Sequence, residues 1–203
     1  MSEPEQVALT FDAEHPDRSW CPPDAAERIL DVLAGAGISA TFFVQGRWAE
    51  AYPGTARRIA DEGHLIGNHS HHHARMPLFL DRGLQEDVDA AQDAIVRTTG
   101  RDPRPWFRCP FGAGADDPRV LAAIAAAGYR HVGWHVEVED WEPVRTPEAI
   151  AADAIAGIRR HGDGVVLLLH TWPGGTVEAL PLMLDGLRGG ARFVTVDALE
   201  EVP

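Results

Sequence analysis

Two histidines four residues apart, His69 and His73 in the stretch Gly67-Asn68-His69-Ser70-His71-His72-His73, are the first residues whose types and spacing imply chemistry. If that stretch forms one helical turn, both rings lie on one face and can grip a single cation. Two imidazoles are an incomplete site, because a catalytic zinc takes three protein ligands and leaves one position for water or substrate. Ser70 follows the first histidine, so this is not the H-E-x-x-H arrangement that carries its own base beside its ligands. A third ligand and a base must therefore come from other segments. The competing reading is a solvated histidine-rich loop with adventitious metal affinity. The internal position, directly after the apolar pair Leu65-Ile66, argues against a tag.

Buried strands alternating with helices are the elements that would position such a site. Val7-Ala8-Leu9-Thr10-Phe11 is an apolar run ending in a polar cluster, Ala40-Thr41-Phe42-Phe43-Val44 a second, and residues 65–68 a third that delivers the histidines. Trp106-Phe107-Arg108, residues 129–134, Gly164-Val165-Val166-Leu167-Leu168-Leu169 and Arg192-Phe193-Val194-Thr195-Val196 complete about seven strands. Helices are expected from an Asp24 cap until Gly35 and Gly37, over residues 56–63, 84–99 and 118–127, from Thr146 to about His161, and over residues 177–187. The alternation implies a mainly parallel sheet covered on both faces; periodicity alone does not separate an open doubly wound sheet from a closed barrel. The polar residues of interest recur where strands stop: Asp12 and Glu14, then His69 and His73, Arg108, Asp140 and His170. In parallel α/β architectures those ends form one rim, so these residues are expected to converge.

The totals narrow the partners. A chain of 203 residues suits a single domain spanning 1–203. A formal charge of −13 disfavours nucleic acid and anionic membranes, which attract a basic face, and suits neutral or cationic substrates. Cys21 and Cys109 allow at most one disulfide, too few for a disulfide scaffold. Residues 1–6 lack a basic and apolar leader pattern, and no window approaches about 18 uninterrupted apolar residues. The chain as given is therefore expected in the cytoplasm, or outside the membrane if a leader has been removed.

Taken together, Thr10-Phe11-Asp12, His69-Ser70-x-x-His73, Arg108-Cys109-Pro110-Phe111-Gly112, Trp134-x-Val136-Glu137-x-x-Asp140-Trp141 and Leu168-Leu169-His170 resemble, in the same order, the five motifs of the polysaccharide deacetylase family, the NodB-homology group or carbohydrate esterase family 4. The resemblance spans roughly residues 7–196. It implies an irregular, TIM-barrel-like (β/α) barrel of about seven strands, and it implies roles. His69 and His73 match the family's metal histidines, Asp12 its general base and His170 its general acid. Arg108 would hold Asp12 ionised and oriented, and Asp140 would do the same for the His170 imidazole. The Phe111 backbone N–H would donate to the oxyanion, and Trp141 would form an apolar wall. The implied cofactor is a divalent metal, Zn2+ foremost, with Co2+ or Ni2+ as alternatives.

Two positions depart from the commoner pattern. Where most members have a second Asp after the base, this chain has Ala13, which cannot coordinate; Glu14 lies two residues beyond Asp12, where an extended segment projects to the same side, and is taken as the third ligand. Should Asp12 itself bind metal, His15 or Asp17 is the assisting group. Thr171 stands where many members have Asp. His71 and His72 are expected to face solvent or substrate rather than metal, and Cys109 has no histidine at a spacing that would make it a nucleophile.

The expected activity is metal-dependent hydrolysis of an acetyl group from the amide nitrogen of a sugar. The rivals are hydrolysis of another C–N or ester bond within the same fold (a cyclic amide, an O-acetyl ester, a small N-acyl metabolite) and a non-catalytic carbohydrate-binding module. The retained Asp12, Arg108 and His170 argue against the last, since a binder needs neither base nor acid.

Overall fold

A computed structural model describes residues 4–15 and 21–203; Asp17 lies outside them. In chain order the elements are β1 (Glu5–Ala13), α1 (Ala25–Ala36), β2 (Thr41–Val44), α2 (Gly46–Ala51), α3 (Pro53–Asp61), β3 (Leu65–Asn68), α4 (Asp81–Thr99), β4 (Trp106–Phe107), α5 (Pro118–Ala126), β5 (Arg130–His131), β6 (Val136–Glu137), α6 (Pro147–His161), β7 (Val165–His170), α7 (Gly174–Gly186) and β8 (Ala191–Val194). The class is α/β. Strands alternate with helices, and the pairs β1/β8, β3/β4, β4/β5 and β6/β7 all run parallel, as a (β/α) barrel of about seven strands requires.

The backbone divides into two compact units. One holds residues 4–11, 21–41 and 134–203, with strand order β8-β1-β7-β6 and with α7 packed against α1 and α6. β7 is buried at all six positions, which explains its uninterrupted apolar run. Inside this unit the buried Thr10 hydroxyl donates to the Leu167 carbonyl at 2.7 Å, so a polar side chain in an apolar strand is satisfied.

The other unit holds residues 12–15 and 42–133. Its strands run β5-β4-β3-β2, with α4 packed against α2, α3 and α5. Met76, Leu84, Val88, Phe107, Cys109, Val120, Ile124 and Tyr129 form a buried cluster in it. Gly67 is required by close approach. A Cβ there would sit 2.6 Å from the Phe43 ring, and that ring in turn underlies the Arg108 guanidinium, with 4.0 Å from its central carbon to the ring centroid.

Several local expectations change. The Asp24 side chain makes no capping hydrogen bond, and α1 runs through Gly35, stopping only at Gly37, whose φ of 67° is left-handed. α2 and β6 carry no expectation from the sequence. The expected strand at 129–134 shortens to two residues, and α7 begins at Gly174 rather than at 177. Among the described residues no helix is long and apolar enough to cross a membrane.

Candidate metal and proton-transfer site

β1 carries Asp12 and ends one residue before Glu14; both are buried, as are His69 and His73. The Glu14 carboxylate lies between the two imidazoles. Its Oε2 meets the Nε2 of His73 and is 3.2 Å from the Nε2 of His69. One donor atom from each of Glu14, His69 and His73 lies within 4.8 Å of the others. The Nδ1 of His69 is 2.9 Å from the Arg108 carbonyl, which can only accept, so Nδ1 carries a proton and Nε2 is the atom turned toward Glu14.

The site carries surplus negative charge. Burial alone would push the His69 pKa down, but the carboxylates of Asp12 and Glu14 outweigh it and raise the pKa above the ordinary value. Burial does win at His73, whose pKa is lowered despite the bond to Glu14, with His69 and His15 pushing the same way. Two imidazoles and one carboxylate, buried and convergent, are the donor types that fit a divalent cation of the zinc, cobalt or nickel kind.

His69 and His73 do not meet through a helical turn. Residues 69–73 form a loop in which Ser70 (φ 61°) and His73 (φ 54°) are both left-handed. The loop is held by its surroundings. His69 N–H donates to the Val44 carbonyl at 3.0 Å, Gly46 N–H to the Ser70 carbonyl at 2.9 Å and the Gln45 amide to the His71 carbonyl at 3.2 Å. Within it, Ser70 N–H donates to Asn68 Oδ1 at 2.8 Å and His73 N–H to Ser70 Oγ at 3.0 Å. His72 is solvent-facing, while His71 is half-buried.

Asp12 faces the same imidazole from another side, its Oδ2 3.5 Å from His69 Nε2. Its Oδ1 accepts from Arg108 at 2.9 Å. Arg108 is fully buried, and it also donates to the carbonyls of Val132 (3.1 Å) and Gly133 (2.8 Å). This is a rigid fork that fixes one carboxylate oxygen. His15 stands beside the site, its Nε2 3.0 Å from Glu14 Oε1 and its ring 4.5 Å from that of His73. Phe111 is left-handed (φ 58°) and half-exposed, with its ring 4.5 Å from His73. Burial pushes the Cys109 thiol up to about 12, which removes it as a nucleophile.

In the other unit, β7 ends on His170 and the loop after β6 supplies Asp140. Asp140 Oδ1 accepts from His170 Nδ1 at 2.7 Å, and Oδ2 accepts from the His170 backbone N–H at 2.8 Å and from the Thr176 hydroxyl at 2.6 Å. These three bonds fix the carboxylate, which in turn orients the imidazole through Nδ1. The rings of Trp141 and Trp172 lie 5.1 and 5.8 Å from His170.

The sequence reading did not single out Gln45, Asn68, Asp87, Thr176 or Trp172. Asp87 left a signal: it falls three residues after Leu84 and four before Ala91, on the apolar stripe of α4, where an unpartnered charge would be costly.

This α/β chain carries a buried carboxylate between two imidazoles, donors that could hold a metal ion, beside a second carboxylate clamped by arginine. The chain belongs to the polysaccharide deacetylase family, whose model matches residues 2–132. It is 32% identical over 201 residues to a peptidoglycan-N-acetylglucosamine deacetylase of Bacillus cereus, a match covering 96% of this chain and 68% of that protein. Among solved structures it is similar to a T48 deacetylase with substrate (32% identity, TM-score 0.81, 96% and 89% of the two chains). It is also similar to a mutant of a CE4-family pseudoenzyme with restored enzymatic activity (26% identity, TM-score 0.84, 98% and 68% of the two chains).

Proposed function

We propose that this protein is a divalent-metal-dependent hydrolase that removes the acetyl group from N-acetylated sugars. The observation that carries the reading is the buried Glu14, His69 and His73 donor set beside the Asp12–Arg108 pair, in a chain of the polysaccharide deacetylase family. The metal, Zn2+ in this reading, supplies Lewis-acid activation of water and of the acetamide carbonyl when bound.

The remaining work falls to the chain's own groups. Asp12 takes a proton from the attacking water, with its Oδ1 held by Arg108. His170 donates a proton to the leaving amine through Nε2, its Nδ1 being held by Asp140. The Phe111 N–H is assigned to the oxyanion, the left-handed backbone at that residue setting its direction. Trp141 forms an apolar wall beside His170.

The test is acetate release from N-acetylglucosamine oligomers, peptidoglycan fragments and O-acetylated sugars, measured after stripping metal and again after adding zinc, cobalt or nickel. Release from the N-acetyl sugars that returns only with metal supports the reading. Release confined to the O-acetylated sugars moves the activity to an ester. No release from any of them, with stoichiometric metal bound, excludes sugar deacetylation.

A further inference from the structure

We propose that Asp87, on α4 and outside every motif of the family, is the positioning residue that holds the histidine loop in its metal-binding form. The inference rests on the metal-site reading above and concerns how that site is built.

Asp87 is buried, and its carboxylate takes three hydrogen bonds from the loop. Oδ2 accepts from His71 N–H at 3.0 Å, and Oδ1 accepts from His72 N–H at 3.0 Å and from His72 Nδ1 at 2.7 Å. The next residue of the helix acts on the loop's entrance, where the Val88 carbonyl accepts from the Asn68 amide at 3.2 Å. One turn of α4 therefore grips the loop between its two metal-facing histidines and again just before the first.

That grip matters because the loop is not a conformation its sequence prefers. Two non-glycine residues, Ser70 and His73, sit at positive φ, and such residues cost of order 1 kcal/mol or more each and persist only where surrounding contacts over-determine them. His71 and His72 lie between these two strained positions. Their amides, fixed to one carboxylate, leave the chain few ways to relax. The His72 side chain is 60% exposed while its Nδ1 is held by a nearly inaccessible carboxylate, so its ring serves the loop and leaves the donor set to its neighbours. A single buried charge is tolerable here because two backbone N–H groups and an imidazole N–H solvate it.

Asparagine at position 87 is isosteric, but it replaces one accepting oxygen with an NH2 group that must face a backbone donor. The loop then loses at least one amide bond and gains a clash of donors, while α4 keeps its length and packing. The expected result for Asp87→Asn is a 10–100-fold weaker zinc affinity, the usual scale for a residue that orients a ligand, together with faster zinc loss to a chelator. Folding of the metal-free protein should be nearly unchanged. His72→Ala, which removes only the exposed ring, should weaken zinc several-fold. Asp89→Asn, an exposed change on the same helix, should leave affinity as in the wild type.

The experiment titrates each full-length variant with zinc against a chromophoric chelator, follows zinc release by stopped flow, and records far-UV CD and melting of the metal-free forms. Wild-type zinc affinity in a folded Asp87→Asn overturns the inference while leaving the metal site intact. Should Asp87→Asn not fold, His72→Ala decides: several-fold weakening supports the inference and unchanged affinity overturns it. A wild-type protein that binds no zinc overturns both the inference and the reading on which it rests.

Discussion

Arg108→Met removes the charge that Asp12 depends on while preserving most of the volume, and its cost can be worked from the contacts. Arg108 is fully inaccessible, its guanidinium donates to Asp12 at 2.9 Å and to two backbone carbonyls at 3.1 and 2.8 Å, and it lies over the Phe43 ring. Removing one partner of a buried ion pair costs about 3–5 kcal/mol, because the other charge stays buried. Each carbonyl left without a donor adds about 1–3 kcal/mol where water cannot replace it. These terms overlap, since protonation of Asp12 and local water entry relieve part of each, so about 4–6 kcal/mol is expected. That is a large share of the 5–15 kcal/mol typical of a folded domain, and for a chain of this size it lowers Tm by roughly 8–24 °C. Urea unfolding of the metal-free protein measures it. Adding Asp12→Asn to Arg108→Met should restore about 0.5–3 kcal/mol, because the uncompensated charge is gone. Arg108→Lys, which keeps a charge but loses the fork, should fall between wild type and Met. An Arg108→Met protein within 1 kcal/mol of wild type, or a double variant no more stable than the single, would refute the claim that this pair is what holds Asp12.

The remaining predictions concern proton transfer, metal and acid. Asp12→Asn and His170→Ala should each lower turnover of an acetylated sugar by roughly 10²-fold or more with an unchanged CD spectrum; near-normal rates in either variant would remove that residue from the mechanism. Glu14→Ala should lose more metal affinity than the roughly 10–100-fold attributable to an outer partner, at little cost to folding, so full metal occupancy in dilute chelator would show that another group is the third ligand. His131 has its pKa lowered to about 4, first by burial and then by the positive charge of Arg108 and His69. Its folded value lies below its unfolded value near 6.5, so the neutral ring contributes stability above that pH, and the contribution is lost as pH falls through the folded value. The gap corresponds to about 3 kcal/mol at most. Relative to wild type, His131→Gln should show a flatter loss of unfolding free energy between about pH 6.5 and 4, and parallel curves would count against the assignment.

How much of this was readable from the chain depended on what each feature asks of a side chain. β1 and β7 were visible because a strand buried along most of its length must be apolar almost throughout. β6 was not, because two residues, Val136 and Glu137, pair with β7 inside a stretch whose histidine and acidic neighbours mask any period. α2 has six residues and opens on Gly46, too short for an apolar stripe to show. Asp12, Glu14, His69, His73, Arg108, Asp140 and His170 were nameable because coordination and proton transfer admit few side-chain types. The shape of the 69–73 loop was hidden, since left-handed backbone at Ser70 and His73 has no compositional mark and is imposed by partners distant in sequence, Val44, Gln45 and Asp87 among them. Asp87 itself was legible only as a charge on the wrong face of a helix.

The backbone is similar, at a TM-score of 0.84, to a mutant of a CE4-family pseudoenzyme with restored enzymatic activity, and a scaffold does not by itself specify turnover. In the function proposed above, the specification lies in how two carboxylates at one strand end are divided. Asp12 and Glu14 leave β1 two residues apart and both reach the Nε2 of His69, at 3.5 and 3.2 Å. Their partners separate them. The guanidinium of Arg108 takes one oxygen of Asp12, whereas Glu14 faces His73 and His15 as well as His69, the division on which the proposed base and ligand roles rest. Ala13 between them is fully buried. An aspartate there would start from the opposite face of the extended segment, so restoring the commoner sequence pattern at position 13 would add a buried charge without adding a ligand.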